Sequence, residues 1–124
     1  MATERILLVE DEGLIRLIAA DLLQDEGFEV VEACDGDEAA RLLDGPAGFD
    51  ALFTDVQMPG SHDGVDVVMH ARRRYPAIPV LVVSGYAPRL ISRLSVLDPV
   101  AVFIGKPYDL AEIVKTLSRL TGRP

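Results

Sequence analysis

Residues that could do chemistry together follow several apolar runs of this chain. Glu10 and Asp11 come after the first run, Asp55 after the third, Ser84 after the fourth and Lys106 after the fifth. Each has an ordinary structural explanation, since Asp11 could cap a helix, Ser84 could satisfy a turn and Lys106 could be solvated. Their recurrence after separate runs is a stronger signal, because three acids, a hydroxyl and an ammonium group would then meet at one place.

This set of groups suits the transfer of a phosphoryl group to a carboxylate. Crowded carboxylates favour a hard dication, and Mg²⁺ binds through one or two carboxylates while keeping waters and a phosphate ligand. We expect Asp11 and Asp55 to bind the ion directly and Glu10 to act through water. An aspartate can also be the nucleophile that forms an acyl phosphate. Lys106 would supply a charge and Ser84 a hydrogen bond to the transferred group.

Five short runs rich in aliphatic and aromatic residues predict the strands that position these groups: 6–9, 28–31, 51–54, 80–83 and 100–104. Segments with apolar residues at helical spacing lie between them, and the weakest is 88–97. Asp35 with Glu38 and Asp63 with Asp66 each place a capping acid three residues before a second acid. The alternation predicts an α/β fold, a parallel sheet with helices on both faces and ligands at the carboxyl ends of its strands.

Composition excludes several classes of protein. The length of 124 residues predicts one domain, 1–124, and the net charge of −8 disfavours binding to nucleic acid. We find neither a membrane-spanning run nor a signal peptide, so we expect no membrane insertion and a cytoplasmic location. The single cysteine, Cys34, is expected to be a small core residue. The basic run Arg72-Arg73-Arg74 is interpreted as the cationic end of a helix.

The chain resembles the receiver domain family of bacterial response regulators over essentially its whole length. The resemblance rests on these pieces and their spacing: Leu7-Leu8-Val9-Glu10-Asp11-Glu12, Thr54-Asp55-Val56-Gln57-Met58-Pro59-Gly60, Asp63-Gly64, Ser84-Gly85-Tyr86 and Lys106-Pro107. It implies a flavodoxin-like fold, a doubly wound five-stranded parallel sheet of order 2-1-3-4-5 with five helices. It also implies a phosphoprotein of a two-component system, phosphorylated by a histidine kinase or a histidine phosphotransfer protein.

The same resemblance implies a role for each site residue. Asp55 is the phosphoacceptor, and the metal Mg²⁺ is held by Glu10, Asp11, Asp55 and the backbone carbonyl of Gln57. Ser84 and Lys106 contact the phosphoryl group, and the bond between Lys106 and Pro107 is cis. Phe103 matches a switch aromatic that turns inward when Ser84 moves, which changes the face made by the fourth and fifth helices and the fifth strand. The alternative is that Phe103 is packed permanently in the core.

Two departures from the family pattern concern the rim of the site. Gly60, Ser61 and His62 make the loop after Pro59 one residue longer than is common, and we interpret His62 as a solvated side chain rather than a metal ligand. Gln57 and Tyr86 match positions that flank the path of the attacking water. We expect them to tune the lifetime of the phosphorylated state, with the Tyr86 ring excluding water.

Two other functions remain open from the sequence. A phosphohydrolase of the haloacid dehalogenase type uses similar groups, but it has its nucleophile early and a second acid two residues later, where this chain has Gln57. A phosphorylation-independent interaction module would have the fold without the chemistry. Because Met1 lies close before the first strand and only 121–124 follow the last helix, we expect a single-domain regulator. Its output would be contact with an unknown downstream protein, or shuttling or storage of phosphate, and no separate small-molecule substrate is turned over.

Overall fold

Ten helices and strands alternate along the parts of the chain that the computed structural model describes, residues 3–58, 63–85 and 88–123. In chain order they are β1 Arg5–Val9, α1 Gly13–Asp25, β2 Glu29–Ala33, α2 Gly36–Asp44, β3 Ala51–Asp55, α3 Gly64–Arg74, β4 Val80–Ser84, α4 Pro88–Arg93, β5 Val102–Gly105 and α5 Leu110–Leu120. A single 3₁₀ turn, Leu94–Val96, follows α4. The predicted strands are confirmed, although the fifth begins two residues later than expected and Phe28 precedes the second.

All five strands are parallel and lie in the order β2-β1-β3-β4-β5. The predicted flavodoxin-like arrangement is therefore confirmed. The strand order reverses between β1 and β3, because the chain leaves β1 toward β2 and then returns to the other side. Crossovers diverge at such a point and leave a crevice at the carboxyl ends of the strands.

The sheet separates two hydrophobic cores. Helices α1 and α5 cover one face, with Leu23, Ile113 and Leu117 fully or almost fully buried against β1, β3 and β4. Helices α2 and α3 cover the other face. Every residue of β3 and β4 is buried, which is the pattern expected for central strands of a parallel sheet. The edge strands β2 and β5 are only partly buried.

Helices α2 and α3 begin at the predicted capping acids, Asp35 and Asp63. The Asp35 side chain accepts from the Glu38 amide at 2.8 Å, and Asp63 and Asp66 form a reciprocal capping box. Helix α4 is short and has no buried residue among its six, in agreement with its weak sequence pattern. The α4 segment is therefore held less firmly than the other helices.

One expectation from the sequence needs correction, and another is confirmed. Cys34 is exposed, because it lies just beyond the edge strand β2, where its amide donates to the Glu38 carboxylate at 2.8 Å. The basic run Arg72-Arg73-Arg74 forms the last turn of α3, as predicted. Arg72 within it is buried, and its Nε donates to the carbonyl of Ile78 at 2.8 Å. No helix within residues 3–58, 63–85 and 88–123 has the length and apolar character to cross a membrane.

Gly64 allows α3 to begin directly against the end of β3. A Cβ atom at this position would lie 1.9 Å from the carbonyl oxygen of Asp55, and the Gly64 amide donates to the carbonyl of Val56 at 2.9 Å. Backbone atoms cannot move aside as a flexible side chain does. The close approach therefore ties the start of α3 to the backbone of Asp55.

We predict that Gly64→Ala lowers the free energy of unfolding by about 2 kcal/mol, because the added methyl group overpacks the junction. Urea denaturation measures this effect. Gly48→Ala is the matched control, since a Cβ there meets no atom within 4 Å. Equal stability of Gly64→Ala and the wild type would contradict the close packing.

Candidate functional site

Three carboxylates meet in the crevice between β1 and β3. Glu10 and Asp11 follow the last residue of β1, and Asp55 is the last residue of β3. One ligand oxygen from each side chain lies within 4.8 Å of the others. This distance and the hard oxygen donors fit a dication such as Mg²⁺, so the predicted acid cluster is assembled by the fold.

Asp55 is held from two sides. Its carboxylate is buried, with 5% of the residue exposed. One oxygen, Oδ1, accepts from the Gln57 amide at 3.1 Å, and the other, Oδ2, is paired with the ammonium group of Lys106. A carboxylate with both oxygens held has a defined orientation toward the crevice.

Lys106 reaches Asp55 because β5 lies beside β4 in register. Gly105 pairs with Ser84, and the amide of Lys106 donates to the Ser84 carbonyl at 2.7 Å. Burial alone would lower the pKa of Lys106, but the hydrogen bond and charge of Asp55, with the charge of Glu10, raise the pKa above its ordinary value. The lysine is therefore a permanent cation at the site. Its bond to Pro107 is cis, as the resemblance implies.

Glu10 is the acid whose protonation the site perturbs most clearly. It is only 4% exposed, and burial, followed by the hydrogen bond with Asp11, raises its pKa to about 7. The nearby charge of Asp55 acts in the same direction. In the absence of a cation, part of the carboxylate crowding is therefore relieved by a proton on Glu10 near neutral pH.

Ser84 is the last residue of β4, and its hydroxyl is buried. No hydrogen bond to its Oγ is found within the described part of the chain. An open cavity of about 550 Å³ adjoins it, lined by Ser84, Gly85, Pro88, Ile91, Ser92, Phe103, Gly105 and Lys106. Phe103 is 45% exposed, so in this conformation it is not a core residue. Among the described residues, no hydrogen bond holds the Ser84 hydroxyl away from the site.

Other predicted positions are less informative. Gln57 has an exposed side chain, and only its amide contact with Asp55 is defined. Tyr86 and His62 lie outside the described residues, as does the longer loop beside His62. The predictions for them stay predictions.

Sequence reasoning missed two neighbours of the site. Arg16 donates from Nη1 to the carbonyl of Glu10 at 2.8 Å, and Tyr108 stands beside Lys106 with its ring edge-on to Phe53. Arg16 lies one helical turn after Glu12, and its helical position alone does not indicate that its side chain turns back over the preceding loop. Tyr108 was overlooked because its residue type fits an ordinary hydrophobic role.

Helix α1 presents an apolar surface beside the acid cluster. Four large aliphatic residues on it are exposed: Leu14, Ile15, Leu17 and Ile18. A groove of about 540 Å³ runs from this surface to the site lysine, lined by Ile15, Ile18, Lys106, Pro107, Tyr108 and Leu110. Such a contiguous apolar patch on a surface helix is typical of a protein-binding surface.

Comparison with known proteins agrees with this geometry. A family model for the response regulator receiver domain matches residues 6–118. The chain is 34% identical over 116 residues to the sensor kinase CckA of Brucella abortus, covering 93% of this chain and 12% of that protein. It is 33% identical over 123 residues to the transcriptional regulatory protein PdtaR of Mycobacterium tuberculosis, covering 96% and 57% respectively.

Among solved structures, a response regulator receiver protein from Sinorhizobium medicae superposes with a TM-score of 0.88 at 29% identity, covering 97% of this chain and 95% of that one. By contrast, the chain spans little more than half of PdtaR and a small part of CckA. The match is thus to the receiver portion that these different proteins share. On the family match, the fold and the identities, this chain belongs to the response regulator receiver domain family.

Proposed function

We propose that this protein accepts a phosphoryl group on Asp55 from a phosphohistidine of a histidine kinase or phosphotransfer protein. The observation that carries the proposal is the buried Asp55 carboxylate, which lies beside two further acids and is paired with Lys106. In the transfer, the phosphorus–nitrogen bond of the donor breaks and a bond from an Asp55 oxygen to phosphorus forms. Lys106 and the Ser84 hydroxyl are placed to stabilise charge on the phosphoryl oxygens.

We assign the metal site to Glu10, Asp11, Asp55 and the backbone carbonyl of Gln57. A bound Mg²⁺ would neutralise negative charge on the phosphoryl group and the acids. The protein's own contribution is to hold the acids on fixed backbone at the ends of β1 and β3. We further propose that residues 1–124 act as one receiver unit, located in the cytoplasm as the sequence predicts.

The apolar surface of α1 suits the phosphodonor as its occupant. A donor must bring its phosphohistidine to Asp55, so it has to cover the rim of the crevice. Leu14 is 71% exposed, and Leu17 and Ile18 extend the same surface along α1. We therefore place a helix-bearing donor protein on this face, with its apolar side chains entering the groove beside Lys106.

The side of the site formed by α4, β5 and α5 suits contact with a downstream protein. Phosphorylation would draw the Ser84 hydroxyl toward a phosphoryl oxygen, and the adjoining cavity leaves room for the Phe103 ring to turn inward. Because the Phe103 ring is 45% exposed, the alternative that it is packed permanently in the core does not fit. The movement would alter the surface of α4, β5 and α5, where a downstream protein binds. Gln57 and Tyr86 keep their proposed role in setting the lifetime.

The alternative functions account for less of the structure. The family is a signalling module rather than an enzyme that turns over small molecules. A phosphohydrolase of the haloacid dehalogenase type needs an acid two residues after its nucleophile, where this protein has Gln57. A module without phosphorylation has no use for a buried acid, a paired lysine and a buried hydroxyl that finds no partner among the described residues. We propose that no separate substrate is turned over.

Incubation with acetyl phosphate and MgCl₂ should add one phosphoryl group to the wild type. Asp55→Asn should abolish the labelling at this position, because the amide lacks the nucleophilic oxygen. Intact-mass and peptide mass spectrometry measure the label. Asp21→Asn, an exposed acid on α1, is the control that should be labelled normally. A wild-type label on any other residue would refute the assignment.

A titration with MgCl₂ should distinguish the role of a metal ligand, Asp11, from the role of Lys106. We expect Asp11→Ala to weaken Mg²⁺ binding at least tenfold, or about 1.4 kcal/mol. Lys106→Ala should keep or tighten the affinity, since it removes a competing cation, while slowing phosphorylation. Isothermal titration calorimetry at pH 8, where Glu10 is ionised, measures the affinities. An equal loss in both variants would show that this division of roles is wrong.

Charge on the α1 surface should block the donor without affecting the chemistry. We expect Leu14→Glu and Leu17→Glu to slow phosphotransfer from labelled histidine kinases or phosphotransfer proteins of the source organism by about tenfold. Labelling by acetyl phosphate should be unchanged. Val96→Glu, an exposed apolar position after α4, is the matched control. Normal transfer to both α1 variants would exclude this face as the donor surface.

A further inference from the structure

We infer that Arg16 is a positioning residue for the metal site and acts through the backbone of the loop that carries Glu10 and Asp11. The inference rests on the proposed function. Among the described residues, the guanidinium of Arg16 makes no hydrogen bond to the carboxylates of the acid cluster. It donates from Nη1 to the main-chain carbonyl of Glu10 at 2.8 Å, which belongs to the peptide bond that joins Glu10 to Asp11.

The guanidinium of Arg16 is itself held in place. Its Nε donates to Oε1 of Glu32 on β2 at 3.3 Å, and its side chain is only 22% exposed. Two edges of one planar group thus bind two elements, the loop after β1 and the neighbouring strand. A lysine ammonium on its flexible stem has no such rigid fork.

The loop needs this support because ordinary helix capping is missing. Glu12 is the N-cap residue of α1, and its side chain makes no capping hydrogen bond. The Glu10 carboxylate accepts from the Glu12 amide at 3.2 Å, and the Glu10 amide donates to the Ala33 carbonyl at 3.1 Å. The remaining main-chain group of Glu10, its carbonyl, is the one that Arg16 binds. Losing Arg16 therefore removes the one of these hydrogen bonds that holds the Glu10 carbonyl, at the step into Asp11.

The charge of Arg16 and its positioning of the loop predict opposite effects on Mg²⁺ affinity when Arg16 is removed. A cation near the site repels a dication, so its loss should tighten Mg²⁺ binding if charge dominates. If position dominates, binding should weaken, because Mg²⁺ demands near-octahedral ligand geometry. The charge of Arg16 is largely offset by Glu32, with which it is paired. We therefore expect position to prevail, with a loss of about tenfold, as is typical when a residue that orients metal ligands is changed.

The experiment compares Mg²⁺ affinity by calorimetry in the wild type, Arg16→Met and Arg16→Lys. Arg119→Met is the matched control, an exposed arginine on α5. We expect about tenfold weaker binding in Arg16→Met and a similar loss in Arg16→Lys, which keeps the charge without the fork. The control should bind like the wild type. Amide hydrogen exchange at residues 11–13 should be faster in both Arg16 variants, a change that a purely electrostatic role would not produce.

Each result has a distinct meaning. Unchanged or tighter Mg²⁺ binding by a folded Arg16→Met protein would overturn the inference and leave the proposed function standing. Arg16→Lys gives the same decision if Arg16→Met does not fold, because normal binding by Arg16→Lys would show that the two-sided contact of the guanidinium is not needed. A wild type that binds no Mg²⁺ would overturn the proposed function, and this inference with it.

Discussion

Mutual repulsion among Glu10, Asp11 and Asp55 is the constraint around which the site is arranged. Three carboxylate oxygens within 4.8 Å of one another are unfavourable unless each charge is compensated. The structure compensates each acid differently. Glu10 takes up a proton more readily than usual, Asp55 is paired with Lys106, and Asp11 is exposed to water. A dication with oxygen ligands would compensate all three charges at once.

The scaffold divides into a firm part and a looser part that meet at Ser84. The acids stand at the carboxyl ends of β1 and β3, which are central to the sheet, and the start of α3 packs closely against Asp55 at Gly64. Beyond Ser84, α4 has no buried residue, β5 is an edge strand and Phe103 faces an open cavity. A rigid site beside a loosely packed surface suits a signalling protein, because a change at the site can alter the neighbouring surface at a low cost in free energy.

The apolar surface of α1 lies beside the crevice, outside the strand ends that carry the site, and related chains occur in proteins as different as a sensor kinase and a transcriptional regulatory protein. The chain matches the receiver portion of each. The acid cluster and lysine are formed by strand ends that the fold fixes. The aliphatic residues of α1 lie on the outside, where substitution does not disturb packing. Residues on α1 can therefore vary without changing the strand ends that carry the acids and the lysine.

The sequence by itself determined the order of the elements and the strand positions, and it predicted the acids and the lysine that the fold brings together. These follow from local patterns: continuous apolar runs for buried strands, capping acids such as Asp35 and Asp63, and polar residues directly after each run. Asp55 and Lys106 could be predicted to meet because parallel strands end at one edge of a sheet. Their distance along the chain does not matter once the sheet forms.

Only the tertiary structure decided which side chains are buried at the margins and which turn back on the backbone. Cys34 is exposed and Arg72 is buried, the reverse of what residue type suggests, because β2 lies at an edge and the α3 terminus faces a neighbouring loop. The contact of Arg16 with the Glu10 carbonyl depends on the angle at which α1 leaves β1. Such contacts are set by the packing of whole elements, and no local pattern of residues records that packing.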